Sequence, residues 1–293
     1  MASSTRAVIL TALGVEYRAV RRHLRNISER THKGTVYEVG SFATDGREPW
    51  EVAVVEIGAG NPGAALEAER AIENFKPSVA MFVGVAGGLK DVKKCDVVAA
   101  TKVYGYESGK QATDFEPRPD LGEASYDMVQ RARAEARKPA WKRQLPPSMA
   151  KLRSKVFVAP IAAGEKVVAE RKSELHRFLR KQYGDAVAVE MEGRGFLKAV
   201  LANSGVAGTV VRGISDLVAG KAGADKAGFQ RRAAAVASAF AFQLLEGIGS
   251  SSLAQESVTL EIASNDVASV LGAISALMQK VGHLDVRVVK GKR

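Results

Sequence analysis

The chain has 293 residues, 46% of them apolar and 26% charged, enough material for a sizeable core, and this balance excludes disordered and fibrous classes. A single cysteine, Cys95, excludes an internal disulfide, and His23, His32, His176 and His283 are too widely spaced for a short metal-ligand motif, so a cytoplasmic protein with no metal and no cofactor is expected. The formal charge of +11 leaves three kinds of anionic partner open: nucleic acid, a membrane surface, or a phosphorylated small molecule.

The first apolar run, Ala7 to Leu13, is too short to cross a membrane and is not followed by a signal-cleavage pattern, so it reads as a buried strand. A helical period covers Glu16 to Leu24. Trp50 to Ile57 reads as a strand, Pro62 to Phe75 as a helix, and Val79 to Val85 and Val97 to Ala100 as further strands. Between Arg131 and Lys155 nine Lys or Arg face one acid, Glu135, with Pro139, Pro146 and Pro147 interrupting any helix. A basic surface loop is expected there, either a solvated face or a phosphate contact. Nucleic-acid binding is disfavoured, since Trp141 is the only aromatic in that stretch available for stacking. Val156 to Ile161, Ala186 to Val189 and Gly208 to Val211 complete the strands; Glu170 to Gln182, Gly193 to Asn203 and Phe229 to Leu245 complete the helices.

This alternation predicts an α/β fold: a mostly parallel, twisted central sheet flanked by helices. Gly247 to Ser252 is rich in small residues and reads as a linker. Beyond it, Val258 to Ile262, Asn265 to Val281 and Leu284 to Val289 read as strand, helix and strand, a small C-terminal βαβ appendage. The expected division is a catalytic domain over 1–249 and an element over 250–293 that is too small for its own core, and therefore an interaction element or an incomplete domain.

In such folds ligands sit outside the carboxyl ends of the strands. The residues there are Glu16, the loops Gly58 to Gly63 and Gly84 to Gly88, Glu190-Met191-Glu192, and Ser215-Asp216. One carboxylate in such a place is commonly a helix cap or a surface charge. Three of them fit a demanding reaction together. Breaking an N-glycosidic bond needs a proton for the departing base, a ligand for the sugar hydroxyls beside developing positive charge, and an oriented water. Carboxyl groups in low-dielectric pockets can supply all three. Neither glycine loop is a P-loop or a Gly-x-Gly-x-x-Gly turn, which removes the ATPase and dehydrogenase readings.

Val189-Glu190-Met191-Glu192-Gly193, followed by Val211-Arg212-Gly213-Ile214-Ser215-Asp216, resembles the paired signature of the purine nucleoside phosphorylase and methylthioadenosine/S-adenosylhomocysteine nucleosidase superfamily. The loops at Gly58 to Gly63 and Gly84 to Gly88 and Glu16 lie where that family has its other motifs. The resemblance implies that Glu192 holds the ribose 2′- and 3′-hydroxyls, Met191 lies beneath the sugar, Asp216 protonates purine N7 with Ser215 orienting the base edge, and Glu16 positions the water. It further implies a motif role for Arg212, paired with a nearby carboxylate in a bridge that is either structural or catalytic, and ligand contact at Glu190, Arg212, Gly60, Val85, Gly87, Lys166 and Val167. Val85 departs from the nucleosidase pattern, which has a hydroxyl residue there. Hydrolysis is expected over phosphorolysis, because Thr11 to Glu16 offers a carboxylate and no arginine to an incoming phosphate.

Ala163 to Val168 and Val83 to Val92 are more similar to nucleosidase domains of multidomain signalling and anti-phage defence proteins. That resemblance implies an adenine nucleotide substrate, ATP first, with phosphates on the basic segment, and an effector regulated in antiviral defence. A methylthioadenosine-type nucleosidase and a nucleoside phosphorylase are the alternatives within the family; a nucleotide-sensing module is the alternative outside enzymology. A homo-oligomer, and a protein partner for 250–293, are expected.

Overall fold

The computed structural model describes residues 5–45, 47–113, 115–166, 174–217 and 228–252. The expectations for 258–289, for Val167 and for the first residues of the 170–182 helix lie outside the described residues. Strands β1 (Arg6–Thr11), β2 (Arg25–His32), β3 (Thr35–Thr44), β4 (Arg47–Glu56), β5 (Val79–Gly88), β6 (Val97–Gly105), β9 (Asp120–Glu123), β10 (Val156–Ala163), β11 (Ala188–Glu190) and β12 (Ala207–Leu217) share one sheet, and β7 (Gly109–Gln111) and β8 (Phe115–Pro117) form a separate ribbon. The helices are α1 (Gly14–Arg21), α2 (Asn61–Phe75), α3 (Tyr126–Ala136), α4 (Glu174–Gln182), α5 (Gly193–Ala202) and α6 (Phe229–Ser252).

Each of the seven apolar runs is a strand, because both faces of the sheet are covered. Val8 and Leu10 point into one core with Ala64, Ala68, Ile72 and Phe75 of α2 and Phe196 and Leu197 of α5. Ala7 and Ile9 point into the other, with Val236, Phe240, Leu244 and Leu245 of α6. A period of two shared between two apolar layers leaves no polar position, hence a continuous hydrophobic run. Close packing sets the limits: a Cβ on Gly213 would lie 2.0 Å from the carbonyl oxygen of Ala233 in α6. Gly213→Ala is therefore expected to cost roughly 1–3 kcal/mol, read as a lowered thermal midpoint; an unchanged midpoint would show that α6 yields without penalty.

The strand order is β11-β10-β6-β12-β5-β1-β4-β3-β2, with β9 on β6. β4, β1, β5 and β12 are mutually parallel. β6 runs antiparallel to β12, and β2–β3–β4 is an antiparallel meander, so the sheet around its parallel core is mixed. β2 and β3 were not legible as a pair because β2 is largely exposed and carries no apolar alternation. Their turn does carry a signal: Lys33 and Gly34 both have positive φ, 49° and 84°, as a two-residue hairpin loop requires. β11 also pairs antiparallel with the end of β5, Val189 opposite Gly87, which closes β5, β12, β6, β10 and β11 into a ring.

Two further expectations are corrected. The basic segment is not a loop: it holds most of α3 and two 3₁₀ turns, Ala140–Gln144 and Pro147–Met149. Trp141 is buried edge-on against Phe240, and Arg131 and Lys138 both pair with the buried Glu135. A few apolar anchors, Met128, Ala132, Trp141 and Leu145, outweigh the surrounding cations because burial is decided residue by residue. Nor is 247–252 a linker, since α6 runs through to Ser252 and Ile248 packs into the core. Among the described residues no helix is long and apolar enough to cross a membrane.

Candidate active site

Closure of β11 onto β5 places four strand ends around one cavity of about 260 Å³. Ala12, Leu13 and Glu16 line it after β1, and Val85, Ala86 and Gly87 at the end of β5. Val189, Glu190, Met191 and Glu192 line it from β11, and Ser215 and Asp216 from β12. Ala59, Lys166 and Gln230 complete the wall. Glu16, Glu192 and Asp216, far apart in the chain, thus share a single pocket, and each is 5% exposed or less.

Glu16 stands in the first turn of α1. Its Oε2 accepts the amides of Ala12 (2.8 Å) and Leu13 (2.9 Å), and its Oε1 accepts that of Val85 (2.7 Å). Burial nevertheless raises its pKa, against the lowering influence of Arg212 and the three amides. Gly84 makes room for this arrangement, since a Cβ there would lie 2.2 Å from Arg212 Nη1 and 2.6 Å from Glu16 Oε1.

Glu190 and Glu192 flank the start of α5 and do different work. Glu190 accepts the amides of Glu192 (3.0 Å) and Gly193 (2.8 Å), a carboxylate at a helix N-terminus, and is ion-paired to Arg212. Its oxygens are therefore committed to the protein although it lines the cavity. Glu192 Oε2 takes Arg212 Nη2 at 2.9 Å, and its Oε1 accepts the Gly60 amide at 3.2 Å. Burial pushes its pKa up to about 7; Arg212 and the Gly60 amide pull it down, while Glu190 and Glu16 push it further up. Three glutamates thus surround one arginine, and a site with that balance favours a ligand that becomes cationic.

Ser215 and Asp216 face the cavity together because of a bulge. In register with β5, Ile214 stands opposite Ala86 and Asp216 opposite Gly87, which leaves Ser215 as the extra residue. The Ser215 hydroxyl donates to Asp216 Oδ2 at 2.9 Å, leaving Oδ1 for a ligand.

Two residues expected at the ligand stand behind the wall. Arg212 is fully buried, its guanidinium 4.6 Å from the centre of the Phe82 ring, and it reaches the cavity only through the glutamates it pairs with. Gly60 contributes its amide to Glu192, and its neighbour Ala59 is the residue at the surface. None of residues 131–155 is among those lining the cavity. Gln230, in the first turn of α6, also lines the cavity, and nothing in the sequence sets it apart from other polar residues at helix starts.

The chain is 25% identical over 135 residues to the 5′-methylthioadenosine/S-adenosylhomocysteine nucleosidase of Chromohalobacter salexigens, spanning 42% of this chain and about half (55%) of that relative. It is 26% identical over 204 residues to the nucleosidase of the same name from Bacillus licheniformis, covering 68% of this chain and 81% of that one. A crystal structure of the Colwellia psychrerythraea nucleosidase in complex with adenine shares the fold, with a TM-score of 0.69 at 23% identity over 84% of this chain and 97% of that one. The phosphorylase superfamily model matches residues 6–247, and the chain belongs to that superfamily.

Proposed function

We propose that the protein is a purine nucleosidase, a hydrolytic N-glycosidase that releases adenine from a ribosyl substrate. The observation that carries this is the convergence of Glu16, Glu192 and Asp216 on one cavity around a single buried arginine. Asp216 gives its proton to N7 as the C1′–N9 electron pair leaves with the base. Glu192 accepts from the ribose hydroxyls beside the growing positive charge. Glu16, whose raised pKa suits it as a base, takes a proton from the water that attacks C1′. A phosphate dianion meets three glutamates there, which favours water as the nucleophile.

The lining supports an uncharged 5′ substituent, as in methylthioadenosine, better than a triphosphate. Among the described lining residues Lys166 is the only cation, and its Nζ lies 3.4 Å from Glu107. Following free adenine from methylthioadenosine and from ATP, with and without added phosphate, tests both points. Release that depends on phosphate would overturn hydrolysis. Release from ATP alone would restore the nucleotide reading, and with it the regulated effector of antiviral defence. A homo-oligomer belongs to the same proposal, with light scattering as its check.

The pH dependence follows from Glu192. Its carboxylate must be ionised to accept two hydroxyl protons, and its pKa is pushed up to about 7, so kcat/KM is expected to rise as pH increases through that value. Glu192→Gln removes this limb together with most of the activity. A profile with no change between about pH 6 and about pH 8 would assign the ribose to another group.

A further inference from the structure

The start of α2 holds two carboxylates on consecutive amides. Gly60, with φ of 114°, points its N–H at Glu192 Oε1, and the next amide, Asn61, points at Glu165 Oε1 at 3.3 Å. The Asn61 side chain, 1% exposed, strengthens the second contact: its Nδ2 donates to the same Glu165 oxygen at 2.8 Å. Its Oδ1 accepts the Gly195 amide of α5 at 2.9 Å. The backbone of Asn61 approaches α5 so closely that a Cβ on Gly195 would lie 2.0 Å from its carbonyl oxygen. Glu165 itself is exposed and adjoins Lys166 on the cavity wall. The Glu165 amide donates to Glu107 at 2.8 Å, so both ends of the residue are tied down.

A buried asparagine with both side-chain ends used, one of them reaching an exposed acid at the cavity mouth, does more than cap a helix. We infer that Asn61 and Glu165 form a clasp that positions Glu192: it fixes the Gly60–Asn61 turn, so that the Gly60 amide stays on the sugar-binding carboxylate, and it locks the mouth at Lys166 to that turn. Asn61 is a positioning residue acting through Glu192, and the inference rests on the nucleosidase reading for its kinetic consequence. Glu192 is faced by Arg212 from β12, Glu190 from β11 and Glu16 from α1, in addition to the Gly60 amide. Loosening the turn removes only the amide, which leaves the glutamate harder to ionise.

The test uses the full chain and two positions. Glu165→Ala changes an exposed residue and leaves the fold intact; Asn61→Asp keeps the acceptor for Gly195 but sets a carboxylate against Glu165. Both are expected to raise KM for methylthioadenosine about tenfold with kcat little changed, and to move the acid limb of kcat/KM to higher pH. Amide hydrogen exchange over residues 58–63 rises in both. The swap N61D/E165Q restores a donor facing an acceptor and returns all three readouts toward wild type. Unchanged exchange and KM in Glu165→Ala, or a swap that restores nothing, overturns the clasp. If the wild-type protein cleaves no nucleoside, the functional reading fails, and the exchange measurements still decide whether Glu165 holds the 58–63 turn.

Discussion

Asp216→Asn is expected to lower adenine release by roughly 10²–10⁴-fold while nucleoside binding persists. The asparagine keeps the size of the side chain and can still hydrogen-bond a purine nitrogen, but it has no proton to surrender as the glycosidic bond opens. Without that proton the base must leave as an anion into a cavity already lined by Glu16, Glu190 and Glu192. Ser215→Ala serves as the graded control: it removes the 2.9 Å hydrogen bond to Oδ2 and leaves the acid in place, so its loss should be far smaller. Calorimetric titration of Asp216→Asn with methylthioadenosine, beside single-turnover release of adenine, separates the enzyme from a nucleotide-sensing module. Turnover near wild type in this variant would remove Asp216 from the chemistry.

The largest effect on stability is expected at Arg212. It is fully buried, pairs with Glu190 and Glu192, and contributes the main opposing charge to Glu16. Arg212→Met fills much of the volume and strands the glutamates, at a cost of about 3–5 kcal/mol in denaturant unfolding. Glu16 and Glu192 have folded pKa values above the ordinary carboxylate value of 4.5, so the stability they lend is fully present below that value and is lost as pH rises through the folded pKa, about 7 for Glu192. Removing the arginine raises both further. The penalty should therefore shrink at about pH 5 and be greatest at about pH 8. An equal penalty at both would show that the glutamates are not charged neighbours of Arg212 in solution.

Much of the fold could be read from the chain because burial on both sheet faces leaves a continuous apolar imprint. Ala7–Leu10, Val79–Val83 and Val210–Val211 carry it, and the small residues of α2 and α6 carry the matching helical period. β2 left no such imprint, and the cations of 131–155 concealed the anchors Trp141 and Leu145. The acids of the site were legible as polar residues at strand ends, and their order along the chain carried the family resemblance.

What the sequence could determine by itself was local: which segments are strands, and which carboxyl groups stand at their carboxyl ends, since both follow from side-chain period and turn chemistry. Which of those groups share a cavity was decided by the ring closure of β11 on β5, a pairing between residues about a hundred positions apart that leaves no local pattern. That Arg212 stands behind the wall and that Asn61 reaches Glu165 were likewise decided by the packing of segments distant in the chain. Charge and polarity can be counted along a chain, but which ionisable groups are desolvated together depends on how distant segments pack.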